Sequence, residues 1–137
     1  MPFRRINLWR DRRGGAAIEF AFVAPVFIAL MLGAVELGRM YYVRQSIEYA
    51  TEQAARYYSL NPNAATATVT SQLNGFLPGR ISSGVSVSYT DTTTNCNGNA
   101  NIKCTTLTVT YPFSYAQSFL GFAGKTLTTT SQAVRQF

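Results

Sequence analysis

The polarity pattern of this chain changes period twice. From Phe20 to Val35 no residue is charged, and Gly15 to Val35 holds a single carboxylate, Glu19. Twenty-one helical residues rise about 31 Å at 1.5 Å each, the thickness of a bilayer's hydrocarbon core. No stop signal follows Arg39. Met40, Val43, Ile47, Ala50, Ala54 and Tyr57 then recur at alternating spacings of three and four, the stripe of an amphipathic helix. Arg44–Glu48 and Glu52–Arg56 add opposite charges at i, i+4 on the other face. The spacing predicts one helix over 15–60, its first half in lipid and its second packed on a domain through small Ala50 and Ala54.

Asn61-Pro62-Asn63 ends that helix and offers a cap and first position for another, over Ala64 to Leu77. Val69, Leu73 and Phe76 form its apolar side, Gly75 and Pro78-Gly79 close it, and threonines at 66, 68 and 70 weaken it. Past Gly84 the period becomes two. Val85, Val87 and Tyr89 alternate with serines, and Leu107, Val109 and Tyr111 with threonines. Leu127 to Val134 is a third strand with mostly threonine and serine between its apolar positions, and Ser114 to Phe122 is a turn of helix or an aromatic loop. The expected fold class is α+β: a long N-terminal helix, a short second helix and a small antiparallel sheet of about three strands.

Charge changes the picture only once it is located. The 137 residues carry a formal +6, which invites a nucleic-acid reading. Five arginines (Arg4, Arg5, Arg10, Arg12 and Arg13) against Asp11 place +4 of it in the first thirteen residues, leaving +2 for the rest. A basic leader before an apolar span fixes orientation by the positive-inside rule, with the leader cytoplasmic and the residues after Arg39 outside. The expected organisation is a leader over 1–14, a transmembrane helix over 15–38 and an extracytoplasmic domain over 39–137. No nucleic-acid partner is expected. A cleaved secretory signal peptide fits poorly, because its apolar region is shorter and no cleavage-site break follows Val35.

Catalytic chemistry has little to work with. There is no histidine, and after Glu52 the only carboxylate is Asp91. Acid–base pairs, triads and carboxylate metal sites need more. Neither Lys103 nor Lys125 sits in an S-x-x-K arrangement. No enzyme and no cofactor are expected. Cys96 falls in the connection Asp91–Lys103 and Cys104 directly at its end, around Asn97-Gly98-Asn99-Ala100-Asn101. Outside the cytoplasm they suit a disulfide; two cysteines without histidine make a short metal shell.

A charge within a membrane helix costs about 2.5–3.5 kcal/mol on insertion scales, so Glu19 asks for a partner. It follows Arg12-Arg13-Gly14-Gly15-Ala16-Ala17-Ile18 and precedes Phe20. A basic patch, glycine, small residues, glutamate and an aromatic opening an apolar helix resemble a type IV prepilin processing site. That resemblance implies a membrane prepilin peptidase cutting after Gly14, which makes Glu19 the fifth mature residue; a cut after Gly15 makes it the fourth. Glu19 then lies about one turn from a new α-ammonium and is placed to pair with that of a neighbouring subunit. The plainer account has it snorkelling or pairing with Arg12 or Arg13.

The run Glu19-Phe20-Ala21-Phe22-Val23-Ala24-Pro25-Val26-Phe27, continuing to Val35-Glu36-Leu37-Gly38-Arg39, resembles the TadE-like family of tight-adherence (Tad) pilus pseudopilins. The resemblance covers about Arg10 to Arg39 and returns at Val109-Thr110-Tyr111-Pro112-Phe113. It implies a minor pilin or pseudopilin in the inner membrane, acting in pilus assembly and surface adhesion. Its implied partners are the prepilin peptidase, other Tad pilins and pseudopilins, and inner-membrane assembly proteins. Pro25 should kink the helix, and Glu36 and Arg39, at i, i+3, form a candidate ion pair near the outer interface. The rival reading is an extracytoplasmic binding or adhesin module on a permanent anchor, neither processed nor polymerised.

Overall fold

A computed structural model describes residues 14–92, 96, 101–116 and 123–136. Helix α1 runs over Gly15–Leu60, α2 over Thr66–Phe76 and α3 over Gly79–Ser82. Strands β1 (Ser86–Thr92), β2 (Ile102–Phe113) and β3 (Lys125–Gln136) form one antiparallel sheet in the order β1-β2-β3. The α+β expectation holds for the long helix, the short second helix and the three-stranded antiparallel sheet, with the single turn α3 added after Pro78. The five leader arginines fall outside the described residues, as do 117–122 of the segment expected to be a turn of helix or loop.

The chain divides into two compact units, 1–37 and 38–137. In the first, the described part is helical throughout, and the helix passes Pro25 without a break in its assignment. Its large apolar side chains, from Ile18 to Leu37, are exposed, while Glu36 is buried. An apolar surface of this kind is stable in water only if lipid or protein covers it.

The second unit has a core of its own. Val43, Ile47, Ala50 and Ala54 of the predicted stripe are buried, with Met40 and Tyr57 packed at its margin. Thr51 joins them, its hydroxyl satisfied by donating to the Ile47 carbonyl at 2.7 Å. Facing this stripe are Val69 and Leu73 of α2, Ile81 of α3, Leu107, Val109 and Phe113 of β2, and Leu127 and Ala133 of β3. The stripe is therefore intramolecular core. The i, i+4 charges on the other side of α1 form no ion pair among the described residues.

Several boundaries differ from expectation for local reasons. Asn61 does not cap α2; its side-chain amide donates back to the Tyr57 carbonyl at 3.0 Å and closes α1. Ala65 takes the N-cap position without a side-chain bond. Gly75 lies inside α2, and the stop comes at Leu77, which is extended as residues before proline prefer. The threonines of α2 have work to do: Thr70 Oγ1 lies 2.7 Å from the Tyr89 hydroxyl on β1. Strand β2 starts at Ile102 because β3 pairs with it beyond the end of β1, Ile102 opposite Gln136. Cys104 thus belongs to β2 and not to the connection before it. Pro112 is tolerated in this central strand because β1 begins opposite Thr110, leaving no ladder bond on that side for proline to break.

Candidate anchor and assembly site

The N-terminal constellation lies on one exposed helical segment. Gly14 and Gly15 stand at its start with open space where a Cβ would be, so nothing in the surroundings demands glycine there. Glu19 follows Gly15 by four residues, about 6 Å along the axis, on the same helical face. It is exposed, and no described side chain neutralises it. Phe20 and Pro25 are exposed too.

At the start of the outer unit Arg39 donates to the carbonyl of Ser114 and stands over the Phe113 ring, 4.7 Å from its centroid. It borders an open cleft of about 640 Å³ that also receives Tyr42, Pro78, Arg80, Tyr111 and Phe113. Two arginines and no carboxylate line it. Among the described residues no group of three or more His, Cys, Asp or Glu is placed to hold a metal. Cys96 and Cys104 are joined in a disulfide, their Cα atoms 5.6 Å apart, within the usual range.

One further residue holds a central place in the outer unit. Arg135 of β3 is buried; its Nη2 donates to Asp91 Oδ1 at 3.1 Å and to Thr105 Oγ1 at 2.6 Å. Nη1 donates to the Pro62 carbonyl at 3.2 Å, and the guanidinium lies 4.3 Å from the centroid of Tyr58. One side chain thereby ties α1, the α1–α2 turn and all three strands. The available signal was parity: Leu127, Ala133 and Arg135 share the inward face of one strand, and Asp91 is the sole late carboxylate.

An exposed apolar helix with a glycine start, and with Glu19 the one carboxylate of its apolar run from Gly15 to Val35, leads into a small α+β unit, an arrangement consistent with a single-pass membrane protein. The helix is long and apolar enough to cross a bilayer, and none of its most apolar window is buried. Residues 14–56 match the family described as TadE-like protein, a stretch that holds Glu19, Pro25, Glu36 and Arg39. TadE-like proteins are structural and associated with Tad pilus systems. The match ends before α2 and the sheet. No curated protein and no solved structure matches the chain.

Proposed function

We propose that this protein is a minor pilin or pseudopilin of a tight-adherence pilus, acting in pilus assembly and surface adhesion. The observation that carries this reading is the placement of Glu19 one turn into an exposed apolar helix that opens on Gly14-Gly15, inside the TadE-like stretch. The basic leader stays cytoplasmic, and a prepilin peptidase removes it after Gly14. The new α-ammonium of one subunit and Glu19 of another then neutralise each other in lipid, where an unpaired charge is expensive. This sets subunits in axial register. Glu36 and Arg39, one turn apart, pair where the helix leaves the membrane. The outer unit faces an oxidising compartment, which its disulfide suits. Its partners are other Tad pilins and pseudopilins and the inner-membrane assembly proteins.

Sequencing the mature N-terminus tests the first step: the chain should begin at Gly15, and an intact Met1 sinks the proposal. Glu19→Ala tests the second. It should insert and be processed normally while piliation fails. Normal piliation with lost surface binding would instead favour a permanently anchored binding module.

A further inference from the structure

The sheet of the outer unit ends in an unguarded edge. Backbone groups along a strand point alternately to its two neighbours. The Val134 N–H turns away from β2 and donates to Ser59 Oγ at 3.1 Å, so the even-numbered residues of β3 face outward. Thr126, Thr128, Thr130 and Gln132 therefore hold their N–H and C=O groups at the open edge, and no hydrogen bond from the described residues reaches them. Of the usual protections only a contact from α1 at Val134 is present. No proline or charge stands between Lys125 and Arg135, and the one-to-one register with β2 leaves no bulge.

There is room beside this edge. One groove lies between Lys125–Thr128 and Met40, Tyr41 and Arg44 of α1; a second lies between Ser131–Gln132 and Glu52, Arg56 and Ser59. The early part of this helix segment flanks the start of β3 and its end flanks the end, so residues 40–60 run in the direction of β3. The opposite edge is open as well. Val134 faces Cys104 in a pair not joined by hydrogen bonds, so Cys104 turns its backbone toward Thr92. The odd-numbered residues Val87, Tyr89 and Asp91 of β1 then point their backbone groups outward, again without partners among the described residues.

We propose that the β3 edge receives the β1 edge of a second copy of this chain, in a parallel, head-to-tail pairing. Direction selects this occupant. Two β3 edges paired antiparallel by a two-fold axis would set their flanking helices antiparallel, and chains anchored in one membrane share one direction. Strands β1 and β3 both run antiparallel to β2 and hence parallel to each other. Pairing β3 with the next copy's β1 keeps every helix pointing the same way, and it leaves an open edge at each end to propagate the row. Strands so joined lie about 4.8 Å apart.

Ser88, Thr108 and Thr130 lie in one row across the sheet, with Ser88 and Thr130 on its exposed face. A level pairing therefore sets Thr130 beside Ser88 of the next copy, and a two-residue stagger substitutes Thr128 or Gln132. The full-length chain in membranes is made with Ser88→Cys plus Thr128→Cys, Thr130→Cys or Gln132→Cys, and treated with a short bismaleimide, which leaves the native disulfide alone. One double variant should give a ladder of dimers, trimers and larger species, while each single variant stays monomeric. Dimers from Thr130→Cys alone, products with a different protein, or no products would overturn the proposal. Adding a proline at an even position that does not carry the cysteine (Thr128→Pro beside Thr130→Cys or Gln132→Cys, Thr130→Pro beside Thr128→Cys) removes an outward N–H and no bond to β2, and should reduce the ladder roughly tenfold, the effect of one lost hydrogen bond. An undiminished ladder would also overturn it. The readout needs neither processing nor pili, so its failure leaves the pilus reading standing.

Discussion

Arg135 and Asp91 meet at 3.1 Å across the sheet, the arginine side chain 8% exposed and the carboxylate 57% exposed. The pair is lopsided. Asp91 keeps most of its hydration, so its Coulomb contribution is screened and small. The desolvated guanidinium is held mainly by its other contacts, the Tyr58 ring, the Pro62 carbonyl and Thr105. These join the last strand to the end of α1, two segments far apart in sequence.

Removing the cation should therefore cost more than removing the anion. Arg135→Ala loses a cation–π contact and three hydrogen bonds, the one to Asp91 being the weak ion pair, and leaves a cavity; about 2–3 kcal/mol of outer-unit stability should go with it. Asp91→Asn should cost less than about 1 kcal/mol. Arg135→Lys should fall between, because an ammonium cannot reproduce the planar fork. Denaturant titration of the three variants in detergent, followed by near-ultraviolet circular dichroism, gives the ranking. Equal losses for Arg135→Ala and Asp91→Asn would mean the ion pair dominates.

The two halves of α1 should answer truncation differently. Ile47 is fully buried in the outer core, so Ile47→Ala should destabilise the outer unit by about 2–5 kcal/mol. Ile28 is exposed, and Ile28→Ala should leave that unit's unfolding unchanged. Any defect of Ile28→Ala should appear in membrane extraction or assembly instead.

Periodicity carried much of this fold. The three-four stripe from Met40 to Tyr57 named the face of α1 that packs, because a helix buries one side and the side repeats every 3.6 residues. Alternation did the same for β1 and β2. It was weakest for β3, where Thr128 and Thr130 alternate with Thr129 and Ser131, and only the β2 register and buried Leu127 and Ala133 give the strand a face. Glu19 was legible because a charge in an apolar run is an anomaly that needs no tertiary information. Arg135 was not, since its partners Tyr58, Pro62, Asp91 and Thr105 come from four separate segments that only folding assembles. The N-cap of α2 was not legible either, because the Asn61 side chain closes the preceding helix on the Tyr57 carbonyl and leaves the cap position to Ala65.

The disulfide closes a short segment, with a sequence separation of eight, so chain entropy limits its effect to somewhat under 3 kcal/mol. Cys96→Ser with Cys104→Ser should lower the unfolding midpoint while leaving the sheet folded. Cys104 sits beside Thr105 and opposite Thr92 and Val134, so loosening should start around Arg135. Amide exchange should rise first at Thr92 and Val134. A rise that begins instead at the Phe113 end of β2 would contradict this order.

Alkaline pH should expose the Tyr89 contact. Burial pushes the Tyr89 phenol above its ordinary value of 10.0, Tyr58 adds to the rise, and the Thr70 hydrogen bond opposes it. A raised pKa in the fold means the folded chain holds its proton after the unfolded chain has released it. Stability is then fully present below about pH 10 and is lost as pH climbs through the folded value. Tyr89→Phe removes this titration and, with it, the hydroxyl's contacts to Thr70 Oγ1 at 2.7 Å and the Thr66 carbonyl at 3.2 Å. The variant should be about 1 kcal/mol less stable at neutral pH. Its deficit should shrink above pH 10, because the native protein then loses a contribution that the variant never had. Other tyrosines titrate in both proteins, so the difference between the two denaturation curves is the quantity to follow. A deficit that stays constant from pH 7 to about pH 11 would show that the phenol is no harder to ionise in the fold than out of it.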